Sequence, residues 1–498
     1  MLILRGTLGG FFALHTEKRV ILCCYSEIMV DCMLRKNGLK LNTSMIATIM
    51  ALAWPTMLEQ LMQTAVQYID TAMVGALGTQ ATAAVGATTT VNWLISITVS
   101  GVSVGFLSFV AKACGAKDRE AAVAASTQAV FVTLVLGSIV TALVLSVSRY
   151  IPVWMQVDTG IQELAARYFF ILYVPMLPRT ATIILGTVLR AVGDTKTPMK
   201  VGLSVNIINV VLNFLLIYPT RTVAIFGQTL VIFGADLGVI GAAAASAIAF
   251  AVGGIYITVA LWKHPMVSPK GRSLRPDSSI LRPCMKVALP NMLQRFGTSL
   301  GYVAFAAMIN SLGDIATAAH TIANTVESAF YIPGYGMQTA ASTLAGNAFG
   351  ANDRKRLNEL VRMFLPLEMV LMLFSGTCLY LTAPVLVSLF SKEQAVIALG
   401  VIVLRMVAVS EPFYGFSIIM EGVLLGIGDT KRPFIYNLIG MWGVRIVGTF
   451  ICTQIFGFGL VSAWLCMILH NMLLFVLFLI CYGKKRWNPI TESVAVGA

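Results

Sequence analysis

Apolar residues run in windows of about 20 along nearly the whole chain, broken by charge or by clusters of Gly, Pro, Asn and Asp. As an α-helix, a window of that length crosses the hydrocarbon core of a bilayer. About twelve can be counted, over residues 46–76, 84–111, 122–148, 162–191, 198–219, 237–262, 284–312, 319–347, 358–390, 395–426, 433–456 and 459–482. Hydrocarbon gives backbone N–H and C=O groups no partner, so the windows must bond internally as helices. The alternating ten-residue strands of a membrane barrel are not visible. The pattern predicts an all-α integral membrane protein with twelve transmembrane helices.

Composition sharpens this picture. Of 498 residues, 57% are hydrophobic and 11% charged, and the mean hydropathy is +0.83, whereas soluble domains carry about 25% charged residues. The excess of 35 Lys+Arg over 22 Asp+Glu sits in short connections rather than in one basic patch, which argues against a nucleic-acid partner. Lys112, Lys117, Arg119, Arg190, Lys196, Lys270, Arg354, Lys355 and Lys431 fall on one set of connections, with Arg35, Lys36, Lys40 and Lys484–Arg486 at the two ends. The opposite set holds Arg149, Arg167, Arg221 and Lys392. By the positive-inside rule both termini face the cytoplasm. The nine cysteines show no CxxC spacing and histidine is scarce, so neither a metal site nor a cofactor is expected.

The sequence also repeats itself. Ala116–Lys117–Asp118–Arg119 returns as Ala351–Asn352–Asp353–Arg354, an offset of 235 (353 − 118). The same offset carries Pro55 to Pro290, Leu77–Gly78 to Leu312–Gly313, and Gly193–Asp194–Thr195–Lys196 to Gly428–Asp429–Thr430–Lys431. The chain therefore reads as two pseudo-symmetric six-helix bundles, a parallel repeat. An N-terminal extension covers residues 1–45, the first lobe 46–262, a cytoplasmic linker 263–283, the second lobe 284–483 and a cytoplasmic tail 484–498. The extension has no counterpart in the second half, and translation starting at Met33 would remove most of it.

Two related bundles suit alternating access around a midplane site. Ionisable residues at membrane depth are costly and point to function, most of all where the sister lobe lacks them. Asp70 leads: it lies roughly 12–15 Å along the first helix from its end near Gly78, and its equivalent is Phe305. Asn206, Asn209 and Asn213 recur at helical spacing, with apolar or small equivalents Met441, Val444 and Gly448; their amides can bridge a carboxylate, water or a bare cation. In the second half Glu327, Glu411 and Glu421 stand opposite Asn92, Met176 and Gly186. Arg295, Arg405 and Arg445 are possible partners for these acids. Pro55 and Pro412 are expected to bend their helices. Tyr68, Gln67, Trp93 and Tyr331 are candidates to line a pocket for flat cationic amphiphiles. The Gly–Asp–Thr–Lys elements read as helix caps.

Two motif matches carry no chemistry. Gly101–Val102–Ser103–Val104–Gly105 fits a nucleophile elbow but lies within an apolar helix. Asn42–Thr43–Ser44 fits a glycosylation sequon on the cytoplasmic side. His320 and His470 lack the companions a membrane enzyme would need, and no Walker A motif is present.

Residues 46–483 resemble the multidrug and toxic compound extrusion (MATE) family. The likeness rests on Pro55 with Gln67–Tyr68–Ile69–Asp70–Thr71, on Gly115–Ala116–Lys117–Asp118, on Leu189 to Lys196, and on Asn209–Val210–Val211–Leu212–Asn213. It implies an inner-membrane antiporter, acting as a monomer, that exports small cationic or amphipathic compounds against inward H⁺ or Na⁺. Asp70 matches the family's first-helix coupling acid, Pro55 the point where that helix bends, and Asn209 a fifth-helix partner. Asn213 stands where one branch has a second Asp. Another branch carries a seventh-helix Glu, here Thr298, and a tenth-helix Asp, which falls near Tyr414 with Glu411 one turn away. The resemblance thus places the coupling at Asp70, with the second lobe as a possible further cation or substrate site. A lipid-linked oligosaccharide flippase of the same superfamily is the alternative, and it would need an Arg-rich cleft.

Overall fold

The computed structural model describes residues 43–490, except 156, 226, 227 and 486. Residues 1–42, with Met33 and the basic residues before the first helix, lie outside the described residues, as do Arg486 and 491–498 of the tail. The first lobe comprises α1 (Thr43–Gly75), α2 (Thr79–Gly115), α3 (Arg119–Val147), the short α4 (Ile151–Trp154), α5 (Thr159–Tyr173), α6 (Met176–Ala191), α7 (Lys196–Leu216) and α8 (Gly238–Lys263). The second comprises α9 (Ser278–Asn310), α10 (Asp314–Gly350), α11 (Arg354–Phe390), α12 (Gln394–Ala408), α13 (Glu411–Gly426), α14 (Lys431–Ile455) and α15 (Leu460–Gly483).

The helix bounds repeat with the offset seen in the sequence. α1 and α9 start 235 residues apart (278 − 43), and the next pairs keep that spacing as far as the start of α14. Only the last pair slips, with α8 and α15 starting 222 apart (460 − 238). The cause is a hairpin in the first lobe, β1 (Pro219–Ile225) against β2 (Gln228–Ala235), antiparallel. The hydrophobic pattern treats this stretch as a plain connection. Its Val231 and Phe233 are exposed.

Eight helices are each long and apolar enough to cross a membrane, and the bent pairs α5–α6 and α12–α13 bring the number to ten. The more polar α9 and α10, with 33 and 37 residues, complete the twelve as counterparts of α1 and α2. The bends, 48° and 53°, fall at equivalent places. Proline explains both: Pro175 and Pro412 lack the N–H that would continue the ladder. Along α14 the backbone widens to π-helix over Ile439–Ile446 and Ile451–Ile455, whereas α7 stays regular.

The loops that close the repeat are built twice from the same parts. Lys117 and Asn352 take left-handed conformations, and the following Asp118 and Asp353 accept from the N–H of Ala121 and Arg356, each at 2.9 Å. Gly193 and Gly428, also at positive φ, set Asp194 and Asp429 to cap the next helices through Thr197 and Arg432. Each lobe has its own apolar core, around Phe106, Phe169 and Ile184 in the first and around Phe305, Leu404 and Trp464 in the second.

The lobes meet at the end that carries the basic loops. There α2 and α10 cross so closely that a Cβ on Gly115 would overlap the Asn347 carbonyl, and one on Gly350 the Lys112 carbonyl. These contacts are reciprocal, since Gly115 and Gly350, and Lys112 and Asn347, are repeat equivalents. Ser108 donates to the Gly426 carbonyl at 3.0 Å, and its equivalent Thr343 donates to the Arg190 carbonyl at 3.1 Å. At the other end of α1 and α2, a Cβ on Gly75 or Gly86 would meet nothing within 4 Å.

Candidate functional site

Asp70 is held by two asparagines of α7, with side chains of α8 and α5 close by. Asn213 on α7 donates to Asp70 Oδ1 at 2.5 Å. Asn209 lies one turn earlier. In the amide orientation that satisfies its neighbours, its Nδ2 donates to both Asp70 oxygens at 2.8 and 3.1 Å, and its Oδ1 accepts from Ser246 Oγ on α8 at 2.9 Å. Tyr168 on α5 lies within electrostatic range. Both asparagines are buried, and Asn213 Oδ1 has no partner among the described residues. Asn206 is not brought into the cluster; its Nδ2 is buried without a partner among the described residues. Because α1 ends at Gly75, Asp70 sits five residues from the helix end, about 7.5 Å at 1.5 Å per residue. That is nearer the end than the 12–15 Å expected, since the sequence pattern extends the helix to its glycine.

The sister lobe has the opposite electrostatics at this locus. Phe305 replaces Asp70, and the Arg445 guanidinium lies 4.1 Å from the Phe305 ring centroid and 4.8 Å from that of Tyr302. Glu327 is buried within electrostatic range of Arg445. Glu411, at the first turn of α13, feels both Glu327 and Glu368. Glu368 is fully buried, and neither carboxylate oxygen has a partner among the described residues. Sequence reasoning missed Glu368, although its repeat equivalent, Thr133, passes it through the same filter. Glu421 is bound separately, by Gln294 Nε2 at 2.7 Å. Arg295 bonds Asn291 at 3.0 Å and Arg405 lies over Tyr380; among the described residues neither forms a salt bridge with these acids. Tyr414 and Tyr335 join their hydroxyls at 2.8 Å, and Tyr331 meets both rings edge-on.

The aromatic candidates fall in two places. Tyr68 and Trp93 are 41% and 45% exposed, on the faces where the lobes confront each other. Tyr68 donates to the Thr325 carbonyl at 3.2 Å, and Trp93 meets Tyr302 edge-on at 6.3 Å. Gln67 is exposed on the same helix as Tyr68. Tyr331 is instead part of the second lobe's tyrosine cluster. Pro55 is buried within an unbroken α1, and next to it Thr56 Oγ1 reaches the Gly336 carbonyl of the other lobe at 3.0 Å. A further arginine at depth, Arg179, bonds Asn92 and Ser96 and covers the Phe250 ring.

Arg190 is not the loop charge the sequence suggests. It lies inside α6 and bonds both Glu59 oxygens, at 2.6 and 2.8 Å, with the two side chains 17% and 8% exposed. The pair ties α1 to α6 one turn beyond Pro55. Removing one member leaves a buried charge alone, which costs about 3–5 kcal/mol. Arg190→Ala should therefore melt markedly below wild type in detergent, and Glu59→Ala/Arg190→Ala should recover part of the loss. A double variant no better than the single would show that the pair itself adds stability.

The MatE family model matches residues 55–215 and again 290–451, one copy in each lobe. A probable multidrug resistance protein NorM of Thermotoga maritima is 26% identical over 88% of this chain and 92% of its own. The probable multidrug resistance protein YoeA of Bacillus subtilis is 24% identical over 82% and 87%. Among solved structures, a crystal structure of MATE in complex with MaL6 superposes with a TM-score of 0.80 at 22% identity, covering 89% of this chain and 96% of that one. With both lobes matched and the twelve-helix fold shared, the chain belongs to the MatE family.

Proposed function

We propose that this protein is a multidrug efflux transporter that exchanges cationic or amphipathic compounds for H⁺ or Na⁺, with Asp70 as the coupling group. The observation that carries this reading is a carboxylate bonded by Asn209 and Asn213, with Ser246 bracing Asn209 and Tyr168 in electrostatic range, in one lobe only. The N–H donors fit the ionised acid, so a proton arriving on Asp70 must displace at least one of them. Asn213 Oδ1, buried without a partner among the described residues, adds the kind of neutral oxygen that a Na⁺ takes beside a carboxylate. The basic loops orient the closed end toward the cytoplasm, so the cleft faces outward, where a drug leaves and an ion enters. Exchange needs only that each ligand bind the two states with different affinity. The exposed Tyr68 and Trp93 offer π-faces to a flat cation. A lipid-linked oligosaccharide has less to hold it, because Arg179 and Arg445 already lie against their own lobes' polar and aromatic groups.

Purified protein in liposomes, given a pH gradient or a Na⁺ gradient separately, should move ethidium under at least one of them. Indifference of ethidium to both gradients would sink the antiport reading.

A further inference from the structure

The second lobe carries a cavity of about 780 Å³ at the basic-loop end, between the start of α11 and the end of α15. Arg354, Lys355, Arg362 and Lys485 line it, and Asp353 is the one acid among its lining residues. That acid is committed to capping α11. Tyr482 and Trp487 form a stacked aromatic wall, ring centroids 5.9 Å apart. Trp487 is only 3% exposed, yet its indole N–H has no acceptor among the described residues. A buried donor without an acceptor is costly, and here it lies in a cavity edged with positive charge.

The equivalent place in the first lobe is built differently. Arg119 corresponds to Arg354, but Glu120 stands for Lys355 and Thr127 for Arg362. There the inter-lobe linker fills the space: Arg119 bonds the Pro265 carbonyl, Glu120 pairs with Arg272 at 2.8 Å, and Gln128 bonds the Arg275 carbonyl. The second lobe has exchanged the linker-binding acid for a cation and added another.

We propose that this cavity binds a phosphate group, that of an anionic phospholipid headgroup in the leaflet next to the basic loops. Basic pockets at helix ends hold such headgroups, and Tyr and Trp favour that interface. One turn into α15, Leu479 and Ile480 are exposed and give acyl chains an apolar flank. The inference rests on α15 being a membrane span, and its test does not involve drug export, so its failure would leave the antiport reading standing.

Detergent-purified full-length protein, titrated with short-chain phosphatidylglycerol, should gain thermal stability saturably. Phosphatidylcholine and inorganic phosphate at equal concentration should not reproduce the gain. Lys355→Gln/Arg362→Gln should raise the half-saturating concentration at least tenfold. Trp487→Phe, which keeps an aromatic ring in the wall and removes the N–H with part of the indole, should raise it a few-fold. Equal responses to the two lipids, an unchanged titration in both variants, or full saturation by inorganic phosphate alone would each overturn the proposal. Should the double variant fail to fold, the Trp487→Phe titration decides by itself.

Discussion

Asp70→Asn should reduce energised ethidium export at least tenfold, to the level of cells without the protein, while the variant still inserts and folds. Asn matches Asp in shape but carries no charge to neutralise. As a carboxylate, Asp70 accepts from Asn213 Nδ2 and, at both oxygens, from Asn209 Nδ2, and bonds to a charged acceptor contribute about 1.5–3 kcal/mol each. A proton on one oxygen turns an acceptor into a donor and forces at least one of these bonds to change. A loss of about 2–3 kcal/mol shifts a two-state balance roughly 30–150-fold, enough to couple the ion to the position of α1. In Asp70→Asn that balance is fixed at its neutral setting. The check is ethidium efflux from cells or everted vesicles with pH and Na⁺ varied separately, normalised to folded protein. Wild-type export by a well-expressed variant would refute the coupling role.

How far this site could be read from the sequence depends on what constrains each residue. The twelve spans were legible because hydrocarbon imposes one length and one backbone solution; the first expected span, 46–76, differs from α1 by three residues at the start and one at the end. Asp70 and Glu327 stood out because charge at that depth is rare. Asn209 and Asn213 were visible as an i, i+4 pair, but Asn206 shared their pattern and stays outside the cluster. Ser246 left no trace, since a serine in an Ala-rich helix 33 residues after Asn213 bears no spacing to it. The Glu59–Arg190 pair was hidden for the same reason. Arg190 lies at the end of its span, where charge is ordinary; Glu59 lies at the middle of α1 and was passed over, and only the tertiary packing of α1 on α6 shows the two as a pair. The hairpin escaped because its apolar Val231 and Phe233 are exposed and mark no core-facing strand.

Gly115→Ala and Gly350→Ala should each stop transport by preventing the lobes from closing at the basic-loop end. A glycine-to-alanine change inside a helix ordinarily stabilises by roughly 0.5–1 kcal/mol, so a loss here must come from the crossing itself. The added methyl would occupy the space of a carbonyl oxygen on the opposing helix, and backbone cannot rotate away as a side chain can. Overpacking typically costs about 1–3 kcal/mol, and backbone against backbone belongs at the upper end. About 3 kcal/mol against the closed arrangement changes its population relative to the alternative roughly 150-fold. The second lobe's core lies away from this seam and the first lobe's extends well beyond it, so the variants should fold and favour the state in which this end is open. Cys284 reports on the opening: it is 1% exposed, and its carbonyl abuts Gly105 across the seam. Alkylation at Cys284, followed by mass spectrometry, should accelerate at least tenfold in both variants. Gly86→Ala, on the same α2 but with open space around it, should behave as wild type. If Gly115→Ala exports ethidium normally and leaves Cys284 protected, the crossing of α2 and α10 is not what closes this end of the protein.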